Sequence, residues 1–208
     1  MTGFDALLAE VRACRACGEK LPLGPRPVLQ LSPTARILIA SQAPGTKVHA
    51  SGIPFSDPSG ERLRQWMGVS PAQFYDATAI AIVPMGLCYP GRAKSGDAPP
   101  RPECAPLWRE RLLSSLPDLR LTLLVGSHAQ NHALGPGALT DRVRNFAACL
   151  PAGRFPLPHP SWRSALWTRK HPWFEQDVLP ALRLAIRRAW PEGGWSGQTR
   201  DDHQSAVR

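Results

Sequence analysis

The run RILIA at residues 36 to 40 constrains the fold of this chain more than any other feature. It is short and apolar after its arginine, with Pro33 before it and the Pro44-Gly45 pair after it. A strand with one wet face alternates apolar and polar residues. A run without alternation is buried on both faces, as a strand inside a parallel sheet is. Three more runs have this character: TAIAIVPM at 78–85, LTLLVG at 121–126 and the shorter, proline-ended RFPLPHP at 154–160. Helical signals separate them. FDALLAEVRAC at 4–14 spaces Phe4, Leu7, Leu8 and Val11 along one helical face. SDPSGERLRQWMG from Ser56 offers Asp57 or Ser59 as N-cap ahead of Leu63, Trp66 and Met67. ECAPLWRERLLSSL at 103–116, SHAQNHALG at 127–135 and HPWFEQDVLPALRLAIRRAW at 171–190 read as helices, with a kink or break expected at Pro180. Strands alternating with helices predict an α/β fold, a three-layer α/β/α sandwich around a central four-stranded, mainly parallel sheet. Such a fold puts its chemistry at the carboxyl ends of the strands.

A chain of 208 residues suits one domain, expected over 1–190. The polar, glycine-rich stretch 191–208 reads as a flexible tail, in which Trp195 is suited to dock on the body. No window approaches the roughly 18 to 20 uninterrupted apolar residues of a membrane span. The N-terminal stretch carries Asp5 and Glu10 and lacks a basic segment followed by an apolar one, so a cytoplasmic location is expected. The formal charge is +9, and 21 of the 25 basic residues are arginine, whose planar fork suits phosphate. A GC-rich coding sequence would also favour Arg over Lys. The net excess nevertheless points to nucleic acid as a partner.

Five cysteines in a reducing compartment argue against a disulfide framework. Cys14 and Cys17 form a C-x2-C pair, and Cys88 and Cys104 follow with fifteen residues between them. Four thiolates hold either an iron–sulfur cluster or zinc, and the spacing does not choose between these. Cys149 lies outside the pattern and reads as a buried apolar residue.

Two further motifs fall at structural joints. SQAPG at 41–45 directly follows the first strand, with Phe55 ten residues after Gly45 in GIPFSDPSG. HPSWR at 159–163 ends the fourth. Phe55 alone could equally be a core residue, and His-Pro recurs at His171-Pro172, where it reads as a helix start. In order and position, however, the two motifs resemble motifs A and B of the uracil-DNA glycosylase superfamily, over roughly residues 10 to 185. The likeness is greatest to its thermophile-type branches, whose four-cysteine [4Fe-4S] pattern the cysteine spacing also matches.

The resemblance implies a DNA repair glycosylase that flips a uracil-type base out of DNA and hydrolyses its N-glycosidic bond, leaving an abasic site. The backbone of Gln42, Ala43, Pro44 and Gly45 would face the glycosidic bond, and Phe55 would stack on the flipped base. His159 would hold the leaving base and stabilise its developing negative charge. Ser161, Trp162 and Arg163 would enter or contact the duplex. A [4Fe-4S] cluster on Cys14, Cys17, Cys88 and Cys104 would tie the N-terminal helix to the loop after strand two, with zinc as the alternative. A monomer is expected.

The sequence departs from the family pattern at the carboxylate that serves water or the oxocarbenium-like sugar. Gln42 and Ala43 stand where branches carry Glu, Asp or Asn, and Gln is no base. Asp57 and Asp97 remain as candidates, Asp57 with a competing role as N-cap. Ala81 falls near a uracil-reading Asn of several branches, so looser base discrimination is expected. Lys47, His49 and Arg92 could touch DNA or be ordinary surface groups. The His128 and His132 pair lacks a third metal ligand. Two other readings stay open: a non-catalytic or covalently trapping uracil-DNA binder, and an enzyme on a small nucleotide or a four-cysteine redox protein.

Overall fold

The computed structural model describes residues 3–94, 96–162 and 164–191. The expected tail, apart from Pro191, and Arg163 lie outside the described residues. Four strands, β1 (Ile37–Ala40), β2 (Ile80–Ile82), β5 (Leu121–Val125) and β6 (Arg154–Leu157), form one sheet in the order β2-β1-β5-β6, every pair parallel. A two-stranded antiparallel ribbon, β3 (Arg92–Ala93) and β4 (Gly96–Asp97), lies between β2 and β5 in the chain. The four-stranded parallel sheet agrees with the sequence expectation.

Helices cover both faces. They are α1 (Gly3–Arg12), α2 (Thr46–Ser51), α3 (Pro58–Met67), α4 (Pro71–Phe74), α5 (Cys104–Ser114), α6 (Ser127–Leu134), α7 (Leu139–Arg144), α8 (Ser164–Lys170) and α9 (Leu179–Ala189). Alternate strand residues divide between two cores, as a period of two requires. Ile37, Ile39, Ile80, Ile82, Leu123 and Phe155 face α3, α7 and α9, while Leu38, Ala81 and Val83 face α1 and α5. In α9, Leu179, Leu182, Ile186 and Ala189 recur every three to four residues and form its buried stripe.

The expected break falls at Pro180: a π-helical turn over Phe174–Val178 ends just before it, and Pro180 stands in the first turn of α9, where a proline is tolerated. Both sheet edges are occupied by unusual residues. At the β2 edge, Gln30 exchanges backbone bonds with Ile82 at 3.0 and 2.6 Å, and its side-chain Nε2 donates to Ile80 O at 2.9 Å. At the other edge, β6 carries Pro156, paired in register with Leu124.

Candidate active site

Strand β1 lies between β2 and β5, and the chain leaves it first towards one side and then returns to the other. Parallel sheets open a crevice at such a reversal, beyond the carboxyl ends of the strands. Here it is a cleft of about 680 Å³ whose walls are the loops after β1, β2 and β6.

The first wall is SQAPG. Ser41 O accepts from Met85 N at 2.8 Å and Gln42 O from Gly86 N at 2.9 Å, which ties the loop to the segment after β2. The Gln42 side chain donates to Ala98 O at 3.0 Å, so it fastens the neighbouring loop. Ala43, Pro44 and Gly45 continue the wall. Gly45 lets the carboxylate come close: a Cβ on it would stand 3.3 Å from Asp97 Oδ2 and would push that oxygen aside by a few tenths of an ångström. The Asp97 carboxylate, carried by the β3–β4 ribbon, therefore reaches into the cleft against the glycine. Burial raises its pKa above the ordinary value, the Arg92 guanidinium works against this, and the negative charge of Asp57 adds to the rise.

Phe55 lines the same cleft, with its ring edge-on to Phe74 at 6.0 Å. Among the described residues it is the only non-glycine with positive φ, at 54°. That region is costly for a bulky side chain and persists only where neighbours enforce it. Tyr75 OH donates to Phe55 O at 3.2 Å, Arg64 reaches the same oxygen at 3.5 Å, and Gly60 leaves room for it. Asp57 begins α3 as its N-cap, with Oδ1 accepting from Gly60 N at 3.0 Å and Ser59 Oγ at 2.6 Å. Both candidate aspartates thus line the cleft, but Asp57 is also committed to the helix.

His159 stands two residues beyond β6, its Cβ close to Gly126, whose φ of 85° follows the end of β5. Burial lowers its pKa below 6.5; Asp57 opposes this and His128 adds to it. The ring is therefore neutral near pH 7 and can donate one N–H. Arg62 on α3 donates to Pro160 O at 3.2 Å and to Ser161 O, fixing the loop after His159. Ser161 lines the cleft, and Trp162 at its rim is 71% exposed.

A family model described as the uracil DNA glycosylase superfamily matches residues 29–183. The chain belongs to the uracil DNA glycosylase superfamily. Membership implies a glycosylase-type function in general and DNA as its macromolecular partner. Among the described residues no helix is long and apolar enough to cross a membrane.

In this superfamily member the expected residues Gln42, Ala43, Pro44, Gly45, Phe55, Asp57, Asp97, His159 and Ser161 all line one cleft. Arg163 lies outside the described residues. Lys47 also lines the cleft, whereas His49 has its Nδ1 buried without a partner and its ring 6.3 Å from that of Tyr89. Sequence reasoning missed Arg62, Gly60, Gly126 and the apolar Val28, Ile82 and Pro84. Of these, only the glycine ending LTLLVG carried a readable signal.

The match begins at residue 29, so it does not include Cys14 and Cys17. In the structure these two nonetheless line one small pocket with Cys88 and Cys104, against the second core. Burial pushes the Cys88 thiol up to about 11, the Arg26 backbone N–H opposes this, and the other three thiols add to the rise. Among the described residues no three His, Cys, Asp or Glu are grouped so as to hold a single metal ion, the His128 and His132 pair included. Cys149, expected to be buried, is only partly so, because it lies in the irregular 3₁₀ stretch Phe146–Ala152 at the surface of the first core.

Proposed function

We propose that the protein hydrolyses the N-glycosidic bond of uracil, or of a related deaminated base, in DNA. The observation that carries this reading is the convergence of Phe55, Asp97 and His159 from three separate segments on one cleft, whose surroundings push the Asp97 pKa up and the His159 pKa down. Opposed environments of this kind divide roles between titrating groups. Phe55 stacks on the extruded base. Neutral His159 donates to the leaving base as negative charge develops on it. Asp97 stabilises the positive sugar or takes the proton of the attacking water, and its raised pKa makes it the better base. Asp57 caps α3 and contributes its field.

The four cysteines are read as ligands of a [4Fe-4S] cluster, with zinc as the alternative. The donor set suits a cluster better than a single zinc ion: four sulfurs line one pocket without any three being grouped as one ion needs, and two of them already accept N–H groups from Leu87 and Trp108 at 3.3 Å. Bound there, a cluster would link α1, the segment after β2 and the start of α5.

A second reading, a uracil-DNA binder without turnover, is favoured by one observation. Motif A offers no carboxylate, and Gln42 is spent on Ala98. Single-turnover incubation of excess protein with a uracil-bearing oligonucleotide, followed by alkaline cleavage, tests both readings. Abasic sites formed by the native protein, strongly reduced in His159→Ala and Asp97→Asn and largely retained in Asp57→Asn, support the hydrolase. Retained affinity without abasic sites selects the binder.

A further inference from the structure

Two of the four sulfurs around the cysteine pocket accept an N–H, and a guanidinium lines the same pocket. Trp108 Nε1 donates to Cys14 Sγ and the Leu87 N–H to Cys104 Sγ, both at 3.3 Å. Arg101 lines the same pocket and brings its guanidinium beside the sulfurs. These groups come from separate places: α5, the segment after β2 and the approach to α5. A neutral thiol is a weak acceptor, and a buried indole N–H needs a good partner. Trp108 is 5% exposed, yet its N–H goes to sulfur. Arg101 Nε and Glu103 Oε2 are buried without partners in residues that line the same pocket. Such an arrangement is matched to charged sulfur.

We propose that the N–H groups of Trp108 and Leu87, with the Arg101 guanidinium beside them, form a shell that stabilises the thiolate charge of the four-cysteine centre and sets its reduction potential. The inference rests on the [4Fe-4S] reading above. One added electron increases the negative charge on the cluster and its sulfurs. Donors aimed at those sulfurs stabilise the reduced state more than the oxidised one, and the potential rises. Deleting a donor therefore lowers it. Trp108→Phe keeps an aromatic ring in the second core, beneath Arg111, and removes the N–H together with the smaller ring that carries it.

The test uses holoprotein purified without oxygen. Iron and labile sulfide are assayed, and the visible spectrum is followed in a mediated titration with dithionite as electron donor. Trp108→Phe is expected to keep its iron and to show a midpoint below that of the native protein. Arg101→Gln, which removes a cation beside the sulfurs, is expected to move the same way. Native midpoints in both variants, at native iron content, overturn the donor shell while leaving the cluster reading intact. Native protein that holds zinc, or no metal, overturns the cluster reading and the shell's redox role together. If Trp108→Phe does not fold, Arg101→Gln decides alone, since the Arg101 side chain is 32% exposed and outside both cores.

Discussion

Gly60→Ala is the most informative perturbation of the cleft. A Cβ on Gly60 would lie 1.8 Å from Phe55 O and 2.7 Å from both the carbonyl carbon and Cβ of Phe55. No side-chain rotation relieves this, because the obstacle is backbone. Either the first turn of α3 moves outward, or the Phe55 peptide turns away. In the first case Asp57 loses its bond to Gly60 N, and a lost cap costs about 1 kcal/mol. In the second, the Tyr75 and Arg64 bonds to Phe55 O are lost at about 0.5–1.5 kcal/mol each, partly offset by escape from positive φ. With residual overpacking of about 1–3 kcal/mol, a net destabilisation of about 2–4 kcal/mol follows. For a chain of this size that is a fall in Tm of about 5–15 °C by calorimetry or circular dichroism. Displacement of the Phe55 ring also removes the proposed stacking platform, worth about 1–3 kcal/mol per base, so single-turnover cleavage is expected to fall about tenfold or more. Tyr75→Phe, which removes one hydroxyl, is expected to show a fraction of both effects. Gly60→Ala with native Tm and native cleavage would refute the claim that α3 enforces the Phe55 conformation.

Three other outcomes are expected. Cleavage should rise with pH through an acid limb reporting Asp97 above the ordinary carboxylate pKa of 3.8 and His159 below 6.5; a pH–rate profile checks this, and Asp97→Asn should remove the carboxylate part of the limb from what activity remains. Gln130→Leu deletes a buried amide that donates to Leu124 O at 3.3 Å and Leu157 O at 2.8 Å, and should cost about 1–3 kcal/mol in urea unfolding. Arg62→Ala frees the Pro160 and Ser161 carbonyls, so binding to a uracil oligonucleotide should weaken at every salt concentration; an unchanged Kd would show that the loop holds itself.

Much of the fold was legible because burial on both faces leaves an unbroken apolar run. RILIA became β1 and LTLLVG became β5, whereas TAIAIVPM yielded only Ile80–Ile82, although Val83 N and Met85 N go on donating to Ile39 O and Ser41 O. The short helices α2, α4, α7 and α8 were missed, as four to seven residues hold too few turns for a period to show. The β3–β4 ribbon was missed because two-residue strands have no pattern. In the site, motif residues were readable by position. The features that aim them were not: nothing in the letter Phe signals positive φ at residue 55, and Arg62 reveals its tie to Ser161 only once the chain brings α3 to a loop about a hundred residues away.

The two sheet edges explain why the sheet, among the described residues, is four strands wide. An open edge strand displays unpaired N–H and C=O groups and recruits further strands, including those of other molecules. Along β2 the main chain and side chain of Gln30 occupy those groups, so the position that a fifth strand would take is filled by a single residue. Along β6, Pro156 has no N–H to offer a newcomer. Strand addition is blocked at both margins by two residues far apart in sequence, and replacing Pro156 by valine would turn one margin into a template for self-association.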